Sequence, residues 1–145
     1  MNNLLSFYDK VKEFCSSHYM INEFMLLGSA EELGSREFGY RSFVMIPSRS
    51  NISRDLSRPI YTLTFNCTIL DRCEVSNEQS YVISTEENLF VVGQLQDFLI
   101  QDDENCYIDD VEVGSFYNED ENVTAAYFDL TISFARKNYN VSINN

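Results

Sequence analysis

Apolar and polar side chains alternate in the segment Ile60-Tyr-Thr-Leu-Thr-Phe-Asn-Cys-Thr-Ile-Leu-Asp71. The apolar positions fall on one side of an extended chain: Tyr61, Leu63, Phe65, Cys67 and Ile69. The positions between them are mainly threonines and fall on the other side: Thr62, Thr64, Asn66 and Thr68. A period of two predicts a half-buried antiparallel strand, with Tyr61, Leu63, Phe65 and Ile69 in the core.

The residues before this strand predict one helix, two short strands and a loop. Apolar side chains recur every three or four positions from Leu4 to His18, which predicts a helix over residues 3–19 with Asn2 or Asn3 as its cap. Strands are predicted over residues 22–28 and 40–46, the second ended by Pro47. Residues 48–59 are polar and lack periodicity, so they predict a long loop, a type of segment that commonly has a function.

The residues after it predict a second helix and a hairpin. Ser76 and Ser84 each begin a capping-box pattern, and a helix is expected over residues 77–101. Its buried stripe is predicted to be Val82, Leu89, Val92, Gln96 and Leu99. Gly93 should weaken the helix and mark close packing on the sheet. Alternation then predicts strands over residues 107–115 and 126–134 around a turn at 118–122.

These elements predict one α+β domain over residues 1–145. Its expected architecture is an antiparallel sheet of about four to five strands with two helices packed on one face.

The composition is acidic, with 23 Asp and Glu against ten Lys and Arg and a net charge of −13. Nucleic acids and anionic membranes attract clustered cations, so we expect no specific DNA binding and no membrane partner. Apolar residues make up 44% of the chain, which indicates a folded protein. The first ten residues lack the pattern of a secretion signal, and no run approaches the about 20 apolar residues of a membrane span. A cytosol-like compartment is therefore expected.

The chemistry-bearing residues predict a protein that is not an enzyme and that uses no cofactor or metal. His18 is the only histidine, and Cys15, Cys67, Cys73 and Cys106 include no CxxC pair, so we expect reduced thiols. No nucleophile elbow or phosphate-binding loop is present. Three acidic clusters have the oxygen ligands of Ca²⁺ or Mg²⁺, but none matches an EF-hand, and a solvated acidic rim is the alternative. They are Asp102-Asp103-Glu104, Asp109-Asp110 and Glu119-Asp120-Glu121.

Charge is segregated along the chain. Five of the ten cationic residues lie between Arg36 and Arg58, whereas no Lys or Arg occurs between Arg72 and Arg136. The two regions are either unrelated solvated surfaces or the two sides of a contact between successive copies, which can close into a ring. The candidate contact residues are Arg49, Ile52, Arg54, Leu56 and Arg58 on one copy, with Asp102, Asp103, Glu104, Glu119, Asp120 and Glu121 on the next.

Several short motifs resemble those of connector and tail-terminator-like virion proteins of tailed bacteriophages, including the ring proteins below the portal in crAss-like phages. They are the strand end Thr68-Ile-Leu-Asp71-Arg72, the turn Ser76-Asn77-Glu78, the helical Ile83-Ser84-Thr85 and the later Val-x-Val-Gly114. The chain departs from the pattern at Gly39-Tyr40-Arg41, where relatives often have an aromatic residue followed by proline.

The resemblance implies a tail-terminator-like fold and a structural role in the virion neck or tail, after synthesis in the bacterial host cytoplasm. It implies a homo-oligomeric ring of twelve or six copies that contacts portal, connector or tail proteins and lines or seals the DNA channel. An acidic wall suits this role, because it repels the phosphate backbone. Two alternatives remain: a small acidic cytosolic binding module, such as a DNA-mimic-like inhibitor or adaptor, and a divalent-metal enzyme with converging carboxylates.

Overall fold

The computed structural model describes residues 3–29, 39–55, 58–74, 77–100, 105–118 and 121–135. Its helices are α1 (Leu4–Ser17) and α2 (Glu78–Ile100). Its strands are β1 (Glu23–Leu26), β2 (Ser42–Asp55), β3 (Arg58–Cys73), β4 (Cys106–Ile108), β5 (Glu112–Asn118) and β6 (Glu121–Ala135). The predicted α+β class is confirmed.

The sheet is larger than predicted and is mixed. It has six strands in the order β1-β2-β3-β6-β4, and β5 pairs with the same strand as β4, namely β6. β1 runs parallel to β2, whereas all other pairs are antiparallel. The prediction of a purely antiparallel sheet was therefore wrong at this edge. The segment between β1 and β2 spans more than a dozen residues, which is long enough for the crossover that a parallel pair requires.

The predicted loop over residues 48–59 is instead the end of a long hairpin. β2 continues past Pro47 and pairs with β3 as far as Asp55 opposite Arg58. Proline is accommodated because the register shifts between Pro47 and Arg49, the sign of a β-bulge. β1 pairs only with Ser42 to Met45, so this part of β2 has no second partner strand within the described residues. Its polar side chains from Ser48 to Ser53 are exposed, which explains why no apolar alternation revealed it.

Both helices pack against one face of the sheet. From α1, Phe7, Val11, Phe14 and Cys15 are buried, and the Asn3 side chain caps the helix by accepting a hydrogen bond from Ser6 N at 2.8 Å. The predicted core side of β3 is confirmed for Phe65, Cys67 and Ile69. Tyr61 and Leu63 are only partly buried, because they lie toward the hairpin end.

The opposite face of the sheet is also buried at its centre. Thr64 and Thr68 are each only 6% exposed, although alternation placed them toward solvent. Thr64 Oγ1 and Thr131 Oγ1 form a hydrogen bond of 3.0 Å. A second apolar cluster lies on this face and contains Met25, Leu27, Val44, Ile46, Leu70, Val123 and Ala125. Leu70, at the end of the alternating stretch, belongs to this second cluster.

The length of α2 was predicted closely, and its buried side was predicted in part, since Val92 and Leu99 are buried as expected. Asn77 Oδ1 accepts hydrogen bonds from Gln79 N and Ser80 N, so neither predicted serine cap starts the helix. Val82, Leu89 and Gln96 of the predicted stripe are exposed. The buried residues are Ser84, Asn88, Val91, Val92, Leu95 and Leu99. Gly93 faces away from the sheet, and a Cβ placed on it would meet no atom within 4 Å.

Apolar residues surround α2 on all sides, so periodicity could not identify the buried face. Neither helix in the described ranges combines the length and the apolar character required to cross a bilayer.

Candidate functional site

The hairpin end, which we define as residues 49–55 of β2 and 58–60 of β3, includes the three arginines predicted to contact another copy. The Arg49 side chain is 71% exposed, and its Nη2 lies 4.0 Å from Asp129 Oδ2 of β6. An exposed pair at this distance contributes about 0–1 kcal/mol and leaves the guanidinium available to a partner. Ile52 is 65% exposed, an unusual position for an isoleucine.

The other predicted contact residues are only partly described. The backbone of Arg54 lies in β2 and that of Arg58 begins β3, next to the hairpin turn. Glu121 begins β6, opposite Asn118. Leu56, Asp102, Asp103, Glu104, Glu119 and Asp120 lie outside the described residues. The structure thus brings Arg49 to Asp129, an acidic residue that the sequence analysis had not singled out.

An acidic recess begins at the β4 and β5 edge of the sheet and extends across β6 to β3, and it includes Asp129, the residue beside Arg49. β4 and β5 pair with consecutive parts of β6, and the three residues between them face only Phe128 and Asp129, which makes a bulge. Asp109 N donates to Asp129 O at 3.0 Å across this bulge. Carboxylates from Asp109, Asp110, Glu112 and Asp129 line a recess of about 660 Å³.

The recess offers negative charge without a metal-binding geometry. Within the described ranges, no three His, Cys, Asp or Glu side chains converge as a ligand set for a metal ion. Tyr127 also lines the recess, and its burial raises the pKa of its hydroxyl. The hydroxyl therefore remains neutral at physiological pH, and the charge of the recess comes from its carboxylates.

A buried arginine organises the space between α2 and the sheet. Arg41 is 6% exposed, and its Nη2 donates to Asp71 Oδ2 at 2.8 Å and to Glu87 Oε2 at 2.6 Å. Its Nε donates to Asn88 Oδ1 at 2.8 Å. These partners come from β3 and α2, so one guanidinium connects the start of β2 to both.

Hydrogen bonds extend this network to β6. Ser84 Oγ contacts Asp71 Oδ2 at 2.8 Å and also forms a hydrogen bond with Thr124 Oγ1. Asn88 Nδ2 donates to Thr124 Oγ1 at 3.1 Å. Asp71 and Ser84 belong to two of the motifs that carry the phage resemblance, and the structure gives them a shared structural role. Ser84 and Asn88 were missed as buried residues because polar side chains normally indicate the exposed side of a helix.

The network does not form a catalytic triad, because the histidine lies elsewhere. His18 Nδ1 accepts from Met20 N at 3.1 Å, so Nε2 carries the ring proton and donates to Gln94 Oε1. The ring also lies 5.2 Å from that of Phe14. His18 thus links the end of α1 to α2, and Ser84 has no imidazole base beside it.

The four cysteines are buried, and none of them forms a disulfide bond. Burial raises the pKa of Cys15 to about 12 and that of Cys67 well above its ordinary value. Burial, followed by the nearby Asp71 carboxylate, raises the pKa of Cys73. Thiols of this kind are protonated at neutral pH and are poor nucleophiles.

Comparison of the chain with known families and curated proteins finds no matching family model and no matching protein sequence.

Proposed function

We propose that this protein is a structural subunit of a homo-oligomeric ring in the neck or tail of a tailed bacteriophage. The ring lines or seals the channel through which DNA passes, and adjacent portal, connector or tail proteins are its other partners. In this proposal the protein is not an enzyme.

The observation that carries the proposal is the opposite charge of the two sheet edges. The hairpin end presents Arg49, which is 71% exposed, on β2, and Asp109, Asp110 and Glu112 line the part of the acidic recess that lies at the β4 and β5 edge. Two different surfaces of one chain that attract each other give a heterologous contact, which closes into a ring when the rotation between copies permits. The net charge of −13 supports the channel role, because most of the surface repels phosphate.

Size-exclusion chromatography with light scattering tests the proposal. We expect a closed oligomer of six or twelve copies for the wild-type chain. Reversal of Arg49, Arg54 and Arg58 to glutamate should leave a folded monomer, verified by circular dichroism, and should prevent incorporation into phage particles. Substitution of Lys12, an exposed residue of α1, by glutamate provides a charge-reversal control.

The acidic recess favours one alternative, a small acidic binding module that mimics the charge of DNA. Such a module binds a basic partner protein and has no need to form a ring. A wild-type chain that remains a monomer or dimer at all concentrations would contradict the ring proposal and favour this alternative.

A further inference from the structure

The acidic recess contains a buried hydroxyl group that has no hydrogen-bond partner in the described part of the chain. Thr68 lines the recess and is only 6% exposed, and its Oγ1 bonds to no described residue. Thr64 lies on the same side of β3 and is equally buried, but its hydroxyl is bonded to that of Thr131. Buried polar groups nearly always have a partner, so the Thr68 hydroxyl indicates a ligand that enters the recess.

The carboxylates of the recess lie in two rows across the edge of the sheet. Tyr127 of β6 pairs with Glu112 on one side and with Thr68 on the other. Two residues further along β6, Asp129 O accepts a hydrogen bond from Asp109 N. Residues two apart on a strand are separated by about 6.8 Å. Glu112 therefore forms one row, and Asp109 and Asp129 form the other.

Little positive charge in the described ranges balances these carboxylates. Arg49 Nη2 lies 4.0 Å from Asp129 Oδ2, and the Arg49 side chain is 71% exposed. Asp109, Asp110 and Glu112 have no cationic side chain within 4.0 Å among the described residues. The described carboxylates do not converge as ligands of a metal ion. Their charge instead suits a cation whose positive groups are separated.

We propose that the acidic recess binds linear aliphatic diamines and polyamines. An extended chain advances about 3.3–3.6 Å for every three bonds, so the nitrogens of putrescine, which are five bonds apart, are separated by about 6 Å. This length places one ammonium group at the row of Glu112 and the other at the row of Asp129. The first ammonium donates a hydrogen bond to the Thr68 hydroxyl. The ring of Tyr127, which also lines the recess, contacts the alkyl chain.

The diamine site and the proposed ring contact use the same carboxylates. Diamine binding itself does not depend on a ring. Competition between the diamine and the hairpin end of the next copy rests on the proposed ring function. Under that function, putrescine should weaken the contact between copies.

Isothermal titration calorimetry of the full chain with putrescine tests the inference at about 0.15 M salt. We expect saturable one-to-one binding, at least tenfold tighter than that of two control cations. Butylamine has the same carbon chain with one ammonium group, and Mg²⁺ has the same charge without a chain. Equal affinities for putrescine and Mg²⁺ would overturn the inference and indicate attraction to general negative charge. Equal affinities for putrescine and butylamine would overturn it and favour a single basic side chain of a partner as the occupant.

Thr68→Val tests the role of the buried hydroxyl while it keeps the shape of the side chain. Putrescine binding should weaken about threefold to tenfold, the effect of one lost hydrogen bond. The free energy of unfolding without ligand should not fall, because the hydroxyl has no protein partner to lose. A Thr68→Val variant that is less stable than the wild type would show that the protein itself satisfies the hydroxyl and would overturn the inference.

Glu112→Gln tests the first row of carboxylates. It should weaken putrescine binding about twofold to fivefold, as expected for an exposed ion pair. Glu86→Gln is the matched control, because Glu86 is exposed on α2 and does not line the recess. Equal putrescine affinities for the two variants would contradict the assigned site.

The variant with Arg49, Arg54 and Arg58 reversed to glutamate separates failure of this inference from failure of the ring. If hairpin ends cover the recesses in a wild-type ring, this variant should bind putrescine even where the ring does not. No binding by either protein would overturn the inference and leave the ring proposal unaffected. A wild-type monomer that binds putrescine would support the inference and contradict the ring.

Discussion

Arg41 shows how one residue determines the packing of several elements. Its guanidinium donates to Asp71, Glu87 and Asn88, which lie far apart in the sequence. Arg41→Ala leaves Asp71, only 19% exposed, without its cation, and removal of one partner of a buried pair typically costs about 3–5 kcal/mol. We expect a loss of this size in the free energy of unfolding, measured by urea denaturation.

Two further variants make the Arg41 test specific. Arg41→Lys keeps the positive charge but loses the planar guanidinium that binds several acceptors at once. Its free energy of unfolding should therefore lie between those of the wild type and Arg41→Ala. Arg49→Ala removes an exposed arginine and should change stability by about 0–1 kcal/mol. Equal free energies of unfolding for Arg41→Ala and Arg49→Ala would contradict the prediction. That result would mean that the hydrogen bonds of Arg41 do not stabilise the packing of α2 on the sheet.

Cys15 should make the protein less stable at alkaline pH. Burial raises its pKa from 9.0 to about 12, so the folded thiol keeps its proton while the unfolded thiol ionises. The contribution is complete below pH 9 and is lost as the pH rises from 9 toward 12, by up to about 1.4 kcal/mol per pH unit.

Urea denaturation between pH 8 and pH 11 measures this effect. Cys15→Ala should lose stability less steeply across the range than the wild type, although Cys67 still contributes to the decline. Ser16→Ala, an exposed neighbour without a titrating group, should follow the wild-type slope. Identical slopes for Cys15→Ala and the wild type would show that the Cys15 thiol is not buried in the folded protein.

At the scale of single elements, α2 contains one residue that works against its own helix. Gly93 is exposed, and a Cβ there would meet no atom within 4 Å. Gly93→Ala should therefore raise the free energy of unfolding by roughly 0.5–1 kcal/mol in thermal or urea denaturation. Gly39→Ala should give no such gain, because its Cβ would lie 3.1 Å from Glu23 Oε2, which accepts a hydrogen bond from Gly39 N. A loss of stability in Gly93→Ala would mean that this face packs against the sheet.

The elements differ in how well the sequence predicts them. Alternation identified β3 and the strands around it, because each has an apolar side that packs under the helices. It missed the end of β2, since that segment is exposed and its order comes from pairing with β3. It identified Val92 and Leu99 on the buried side of α2 but also chose Val82 and Leu89, which are exposed, because Asn88 bonded to Arg41 and Ser84 bonded to Asp71 occupy buried positions. The sequence of one strand does not indicate whether its neighbour in the sheet runs parallel or antiparallel, so the parallel pairing of β1 could not be predicted.

Some properties of the candidate contact residues can be read from the sequence, and others require the structure. The cluster of arginines before β3 was visible in the sequence, and the structure places Arg49 and Ile52 on an exposed strand. The apolar side of α2 became apparent only from the structure, since exposure depends on which side of a uniformly apolar helix meets the sheet.

On the scale of the whole molecule, the distribution of charge has a consequence for DNA. A chain with a net charge of −13 must approach a duplex against repulsion, and its basic residues are concentrated near the hairpin end. In the ring proposed above these arginines would lie against the next copy, which would leave a mainly acidic exterior. The oligomer should therefore bind DNA more weakly than typical nonspecific binding, for which Kd is about 10⁻⁴ to 10⁻⁶ M at physiological salt.

Fluorescence anisotropy with a labelled duplex of random sequence measures this at low and at physiological salt. We expect no binding by the wild-type oligomer at either concentration, since low salt strengthens the repulsion between like charges as well as any attraction. The comparison is a variant with Asp109→Asn, Asp110→Asn and Glu112→Gln, which reduces the acidic charge of the recess. Weak DNA binding by this variant at low salt would be consistent with the proposal. Wild-type binding in the micromolar range would contradict the proposal, because a channel wall that retains the phosphate backbone would impede the passage of DNA.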